Sequence, residues 1–596
     1  MTETTTPRRP VRIGNASAFY GDRIASFAAM VEGGPVDVVT GDYLAELTML
    51  ILWKAEQKDP ETGYARTFLT QFAQVVRTCA ERGIKVVVNA GGLNPAGLAA
   101  RVRAIAEEAG VALSVAHIEG DDISQRLTEL QAAGHPLRHL DKGLTLAESG
   151  AEPISANAYL GGWGIAAALA QGADVVITPR VTDAALVLGV GAWWHNWRRT
   201  DFDALAGAVA AGHIIECGPQ ATGGNYSQMH EITDRRYPGS PIAELAHDGS
   251  FVITKHEGTG GLVSPGTVTA QLLYEVDSAV YLNPDVVAHF DTLELIQDGA
   301  NRVRVSGATG SAPPSTLKVA MNYIGGYRNT MTLVLTGLDI EEKARWATEQ
   351  LFEILGGRDS FDELDVQLLR YDVADPVRFS QATAHLRVTV KDRDRAKVDR
   401  AFSNAVLELA VGGYAGFHTT TPPTSASEFG VYWPTVVPAT EIEQVVVHAD
   451  GTRENIAHCP QTDDRFSAVA ASDEYDTVAI DFGPTARRPL GSIVAARSGD
   501  KGGKANVGVW TDTDERWNWL RSHLTTEKFT ELVSDAQGLE VRRHEFPNLR
   551  ALNFVVVGFL GDGVASSTRT DPQAKGLGEF LRATYTDVPD KLVGAH

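Results

Sequence analysis

The chain of 596 residues is longer than one hydrophobic core sustains, and its length implies roughly three or four domains. Hydrophobic residues make up 43% and charged residues 21%, the balance of a globular protein. A net charge of −22 excludes a nucleic-acid-binding role for the chain as a whole, while leaving room for a local basic pocket.

From the N-terminus, "MTETTTPRRPVRIG" carries no apolar signal core, and no apolar run reaches membrane-spanning length. A cytoplasmic protein without membrane contact is expected. Cys79, Cys217 and Cys459 lie far apart, match no zinc spacing and fit a reducing compartment. The stretches "VRIGN", "VDVVTGD", "IKVVVNAGG", "LSVAHIEGDD", "ADVVITPRVTD", "HIIECGPQ" and "FVITKHEGTGG" read as short Val/Ile-rich strands ending in small and polar residues. Between most of them lie helical patterns such as "TFLTQFAQVVRTCAERG" and "PAGLAARVRAIAEEAG", with apolar residues at i, i+3 and i+4. Strand–helix alternation predicts an α/β fold with a mainly parallel sheet and helices on both faces.

After Asn329 the pattern becomes β-α-β-β-α, with helices expected over 341–355 and 393–410. The Pro/Ser/Thr-rich "HTTTPPTSASEFGVYWPT" reads as irregular. From about Leu490, "SIVAARSGD", "ANVGVW", a helical stretch through "WNWLRSHLT" and "ALNFVVVGFL" give a small α+β unit of ferredoxin-like order. The expected domains are an α/β domain over 1–275, a β-rich connection with an α+β subdomain over 276–480, and a ferredoxin-like domain over 481–596.

Ligands of α/β sheets bind outside the carboxyl ends of the strands. The strand ends supply Asn15, Asp42, Asn89, Glu119 with Asp121 and Asp122, Arg180 with Asp183, Glu216 with Cys217, and Lys255-His256-Glu257. Taken singly, each is an ordinary helix cap or solvated turn; together they predict a polar cleft. In "NAGGLNP", Gly91 and Gly92 allow close backbone approach, and the following helix start offers amides to an anion. The "EGDD" carboxylates Glu119, Asp121 and Asp122 suit either Mg²⁺ or a base of raised pKa, whereas zinc has no matching motif. Cys217 is either a nucleophile or a packing residue. Lys255, His256 and Glu257 open onto Gly258, Thr259, Gly260 and Gly261, a combination of cation, proton carrier and backbone donors. "ARSGDKGGKANVGV" places Arg497, Asp500, Lys501 and Lys504 in a glycine-rich hairpin able to clamp an anion.

These stretches carry a resemblance. "GNASAFYGDR", "VTGDYLAELTM", "VVNAGGLNP", "EGDD", "NAYLGGWGIAAALAQGADVVITPRVTDAALVLG", "GHIIECGPQATGGN" and "ITKHEGTGGLVSPGTVTAQLLYEV" resemble, in order, the acyclic terpene utilization AtuA-like family, over roughly residues 11 to 440. "ARSGDKGGKANVGV" through "ALNFVVVGFL" resembles the ferredoxin-fold domain at the C-terminus of its members. The resemblance implies a place in catabolism of branched acyl-CoA thioesters, alongside acyl-CoA carboxylases and enoyl-CoA hydratases, and carries over no catalytic residue.

The expected function is a hydratase or lyase of branched carboxylic acid or acyl-CoA catabolism. His256, or a carboxylate of Glu119, Asp121 and Asp122, moves the proton. Lys255, Arg180 and the 258–261 amides stabilise an enolate-like oxygen. Asn15, Asp42, Asn89, Asn157 and Asp183 line the substrate site. The ligand is a small anion, with a CoA thioester as one possible form, and a homo-oligomer is expected. The alternatives are a hydrolase or acyl transferase using Cys217, and a non-catalytic scaffold for a carboxylase or hydratase.

Overall fold

The computed structural model describes residues 8–466, 472 and 480–593. Its centre is a parallel sheet. Strands β1 (Val11–Asn15), β2 (Val38–Gly41), β3 (Lys85–Val88), β4 (Val115–Glu119) and β6 (Val175–Ile177) run parallel in the order β1-β2-β3-β6-β4. The register sets Ile13 beside Val38, Val39 beside Val86, and Val175 beside both Val86 and Val115. The Val and Ile residues of these strands, from Val11 and Ile13 through Val86–Val88 to Val175–Ile177, are all buried because helices cover both faces. The parallel arrangement stops at the flanks. Strand β7 (Pro241–Leu245) pairs antiparallel with β1, and β8 (Phe251–Lys255) antiparallel with β7. On the other side Val445–Val447 pairs antiparallel with β4. The α/β class therefore holds, with a parallel core inside a mixed sheet.

Strand β5 (Ser155–Ala158) leaves this sheet and pairs antiparallel with the start of the strand Thr316–Thr336, Ala158 facing Val319 and Asn157 facing Ala320.

Helix Arg66–Arg82 shows how the faces are covered. It buries Phe68, Phe72, Val75, Val76 and Cys79 along one stripe and ends at Gly83, whose φ of +67° closes the helix in the left-handed region. Cys79 is thus a packing residue. Helix Pro95–Glu108 starts where Asn94 Oδ1 accepts the Gly97 amide at 2.8 Å, with Pro at its first position.

The stretch "HIIE" differs from expectation. It is the last turn of helix Phe202–Ile215, which is buried on all sides from Ala204 onward. A helix without a polar face offers no 3.6-residue alternation, so its Ile-rich end reads as a strand.

The C-terminal α+β unit is a four-stranded antiparallel sheet of Ala495–Lys501, Lys504–Trp510, Ala551–Val556 and Val541–Phe546. Its core packs Trp517, Leu520 and Phe529 from the helices against the strands, with the Phe529 ring stacked on strand residue Phe554 at 4.3 Å. Gly502, at φ +62°, turns the hairpin between Lys501 and Lys504.

By backbone contacts the chain divides into two compact units, one of residues 1–322, 432–564 and 573–596, the other of 323–431 and 565–572. The second keeps the predicted β-α-β-β-α order, but the Pro/Ser/Thr-rich stretch read as irregular ends in a strand, Ser427–Pro438, whose apolar run Val431–Trp433 is buried. Helix Ile340–Ile354 and strands Glu363–Arg370 and Thr383–Asp392 are followed by helical segments Arg395–Val398 and Arg400–Gly412. Its core centres on Leu333, Leu351, Leu386 and Phe402.

Candidate active site at the parallel-strand edge

The ends of the parallel strands turn polar at the positions that the sequence marks. Asn15, closing β1, donates from Nδ2 to the carbonyls of Ile215 and Glu216 at 2.7 and 2.8 Å. Asn89, just past β3, accepts the Tyr43 amide at 2.7 Å and donates to Asp42 Oδ1 at 2.6 Å. Both asparagines are fully buried and act as joints that hold acidic residues.

The result is a group of three carboxylates. Asp42 beyond β2, Asp183 beyond β6 and Glu216 at the end of helix Phe202–Ile215 each bring one oxygen within 4.8 Å of the other two. Arg180, only 3% exposed, lies beside them. Its Nη1 donates to Asp183 Oδ1 at 2.6 Å and to Val181 O at 2.9 Å, and its guanidinium stacks 4.1 Å from the Tyr159 ring centre. Burial raises the Asp42 and Glu216 carboxyls well above the ordinary range, with the Asp183 charge adding to it.

A second layer of cations faces the acids. Lys318 Nζ lies 4.8 Å from the Tyr159 ring centre and 3.8 Å from Glu46 Oε1. Burial alone would raise Glu46, but Lys318 and Arg180 hold it down at about 2. Lys501 reaches in from the C-terminal hairpin, donating to the Glu275 carbonyl at 2.8 Å, and burial lowers its pKa. Lys504 pairs with Asp277 at 2.8 Å and Lys575 with Glu275 at 3.5 Å. Glu275 holds a φ of +57°, a left-handed backbone that a non-glycine residue adopts only when its surroundings enforce it.

Those surroundings belong to the C-terminal sheet. Asn506 accepts the Glu275 amide at 2.8 Å and donates to Leu273 O at 2.7 Å, and Asn553 donates to Val276 O at 3.0 Å. A Cβ on Gly499 would lie 2.3 Å from the Tyr274 ring, and one on Gly508 2.5 Å from Leu273. The glycines of "ARSGDKGGKANVGV" thus let the 273–277 loop lie directly on the sheet.

The remaining predicted residues separate from this group to different degrees. Asp121 borders it. Its Oδ2 accepts from Asn157 Nδ2 at 2.8 Å and from the Arg180 amide at 3.2 Å. Burial, reinforced by Asp122, lifts its carboxyl to about 7 against those two bonds. The "EGDD" acids do not converge. Glu119 is spent on Arg453 and His117 at 2.7 and 2.9 Å, and Asp122 accepts the Ser124 amide. Gly91 gives its amide to Thr178 O at 3.0 Å and Gly92 sits at φ +53°, so this turn serves strand packing. Cys217 neighbours Glu216, and its thiol is pushed well up by burial and by the Glu275 and Glu216 charges, which works against a thiolate.

Lys255, His256 and Glu257 stand outside the group, although β8 ends at the same edge. Lys255 Nζ donates to Thr259 O and Oγ1 at 2.9 and 3.0 Å. His256 Nε2 meets Met30 O at 2.8 Å, and burial lowers its pKa. In the glycine turn, Gly258 and Gly261 are left-handed, a Cβ on Gly260 would lie 2.3 Å from Arg236 O, and the Gly261 amide is taken by Asp234 O. This turn leads through the Ser264 capping box into helix Pro265–Leu272, which delivers the 273–277 loop.

A wide hollow of about 1440 Å³ near Trp193, Trp197 and His247 lies at the other end of the strands, where His195 meets the Leu245 carbonyl beside the start of β1. Its polar groups include the Arg198–Asp201 pair and the Trp197 bond to His247 O, and it is distinct from the acidic group.

Fold and site together define an α/β protein with a largely buried cluster of mixed acids and bases at its parallel-strand edge, completed by a C-terminal α+β domain. The chain belongs to the acyclic terpene utilisation family: the family described as acyclic terpene utilisation family protein AtuA matches residues 11–448. The AtuA ferredoxin-like domain matches residues 488–586. Membership ties the chain to acyclic terpene utilisation. No curated protein and no solved structure matches it.

Proposed function

We propose that the protein is a lyase or hydratase of branched carboxylic acid or acyl-CoA catabolism that moves a proton next to a carbonyl. The observation that carries this reading is the gathering of Arg180, Lys318 and Lys501 around the acidic cluster, with Asp121 held at about 7 at its border. Proton removal beside a carbonyl needs a base that titrates near neutrality and a cation where the enolate oxygen forms. Asp121 is suited to the first task. Arg180 and Lys318, both against the Tyr159 ring, are suited to the second and to a substrate carboxylate. Lys501 gives the C-terminal domain a part in binding the same anion.

The test is α-proton exchange in D₂O, followed by mass spectrometry over a panel of branched acyl-CoAs and free acids. Deuterium should enter at the carbon beside the carbonyl, at a rate that rises with pH through about 7. Asp121→Asn should lower that rate by about 10²-fold or more while the fold is kept. No exchange and no water addition with any member of the panel rejects the reading, and full exchange by Asp121→Asn rejects the role of Asp121.

A further inference from the structure

We propose that Asp42, Asp183 and Glu216 form a binding site for a hard divalent cation of the Mg²⁺ or Mn²⁺ class. One oxygen from each lies within 4.8 Å of the other two. Oxygens sharing an ion at about 2.1 Å stand about 3 to 4 Å apart, so small side-chain movements close the set onto one centre. The three acids come from the end of β2, the loop after β6 and the end of helix Phe202–Ile215, so the group is assembled by the fold and is not an acidic turn.

The second observation is an oxygen without a donor. Glu216 is 7% exposed, and its Oε2 has no hydrogen-bond partner among the described residues. A buried carboxylate oxygen without a partner is costly, and a cation supplies the missing partner. The neighbours orient the acids as the outer layer of a metal site does. Asn89 holds Asp42 by Oδ1, Arg180 holds Asp183 by Oδ1, and Asn15 ties down the Ile215 and Glu216 carbonyls. A donor set of carboxylate oxygens selects a hard cation over zinc or copper. At this place the ion would act as a Lewis acid toward a substrate oxygen. The site rests on the same pocket as the proposed reaction but not on that reaction.

The experiment uses the full chain stripped with EDTA and Mn²⁺ as the probe, with free Mn²⁺ read by electron paramagnetic resonance. One saturable Mn²⁺ per chain, displaced by Mg²⁺, is expected. Asp183→Asn and Glu216→Gln should each weaken it at least about tenfold, since removing even an outer-layer partner of a ligand typically costs that much. Asp234→Asn, in an exposed ion pair with Arg236, should leave it unchanged. Circular dichroism checks the fold, and if Glu216→Gln does not fold, Asp183→Asn, whose side chain is 28% exposed, decides. No saturable binding at millimolar Mn²⁺, or wild-type affinity in the folded variants, overturns the inference. Because binding is read without turnover, Mn²⁺ binding with no exchange chemistry supports the site while rejecting the reaction, and exchange in EDTA without Mn²⁺ binding does the reverse.

Discussion

At the scale of single residues, Asp121 joins stability to pH. Its carboxyl is raised from 3.8 to about 7, mainly by burial, with Asp122 adding and Asn157 and the Arg180 amide opposing. The folded state therefore holds this proton more tightly than the unfolded chain. Below about pH 4 both states are protonated and the group is neutral toward folding. As pH rises to 7 the unfolded chain ionises first, and folding loses up to about 4 kcal/mol. Asp121→Asn removes that loss, since one amide oxygen can accept both bonds now made to Oδ2. Urea titration should find the variant more stable than wild type at pH 8 and equal to it near pH 4. Equal stability at both pH values would show that Asp121 ionises freely. Arg180 has the opposite character. Arg180→Met leaves Asp183 and the buried Asp42 and Glu216 without their guanidinium, so a loss of about 3 kcal/mol is expected in the same titration at pH 8.

At the scale of elements, the turn after β3 is built for close packing. A Cβ on Gly91 would meet the Thr178 carbonyl at 2.5 Å, and that carbonyl belongs to the backbone leading from β6 to Arg180. Gly91→Ala should cost about 1–3 kcal/mol in chemical denaturation and shift Arg180, which raises KM for an anionic substrate more than it changes the fold's circular dichroism. Parts of this edge are legible in sequence. A Val run closing in Asn or Asp marks a strand end, which is how Asn15, Asp42, Asn89, Arg180 and Asp183 come to notice. Two kinds of information are missing there. An all-buried helix looks like a strand where it ends in Ile, so Glu216 is seen at the right edge for the wrong reason. Adjacency along the chain also says nothing of bonds to distant backbone, and so His256 reads as a proton carrier although its Nε2 is held by Met30 O. Lys318, Glu46 and Glu275 carry no local signal, because a lysine in a strand, a glutamate at a helix start and one in the loop after a helix are ordinary on any surface.

At the scale of the whole molecule, the α/β domain is incomplete without the C-terminal sheet. The 273–277 loop takes its shape from that sheet through two asparagines on neighbouring strands, themselves joined at 2.6 Å. Replacing both Asn506 and Asn553 by Ala strips the Glu275 amide and the Leu273 and Val276 carbonyls of their partners. Each buried group so orphaned costs about 1–3 kcal/mol, and Glu275 loses the contacts that enforce its left-handed backbone. The core of the C-terminal sheet, built on Trp517, Phe529 and Phe554, is untouched by the change. The expected outcome is therefore local: amides over 273–277 lose hydrogen-exchange protection, Lys501 loses its anchor on the Glu275 carbonyl, and exchange rates in the Phe554 strand stay as in wild type. Full protection of the loop in the double variant would show that the α/β domain shapes it alone. Loss of protection throughout the C-terminal sheet would show that the asparagines hold the domain's own fold. Only the local outcome makes the ferredoxin-like domain a working part of the pocket, since it then delivers a cation through a loop that it also shapes.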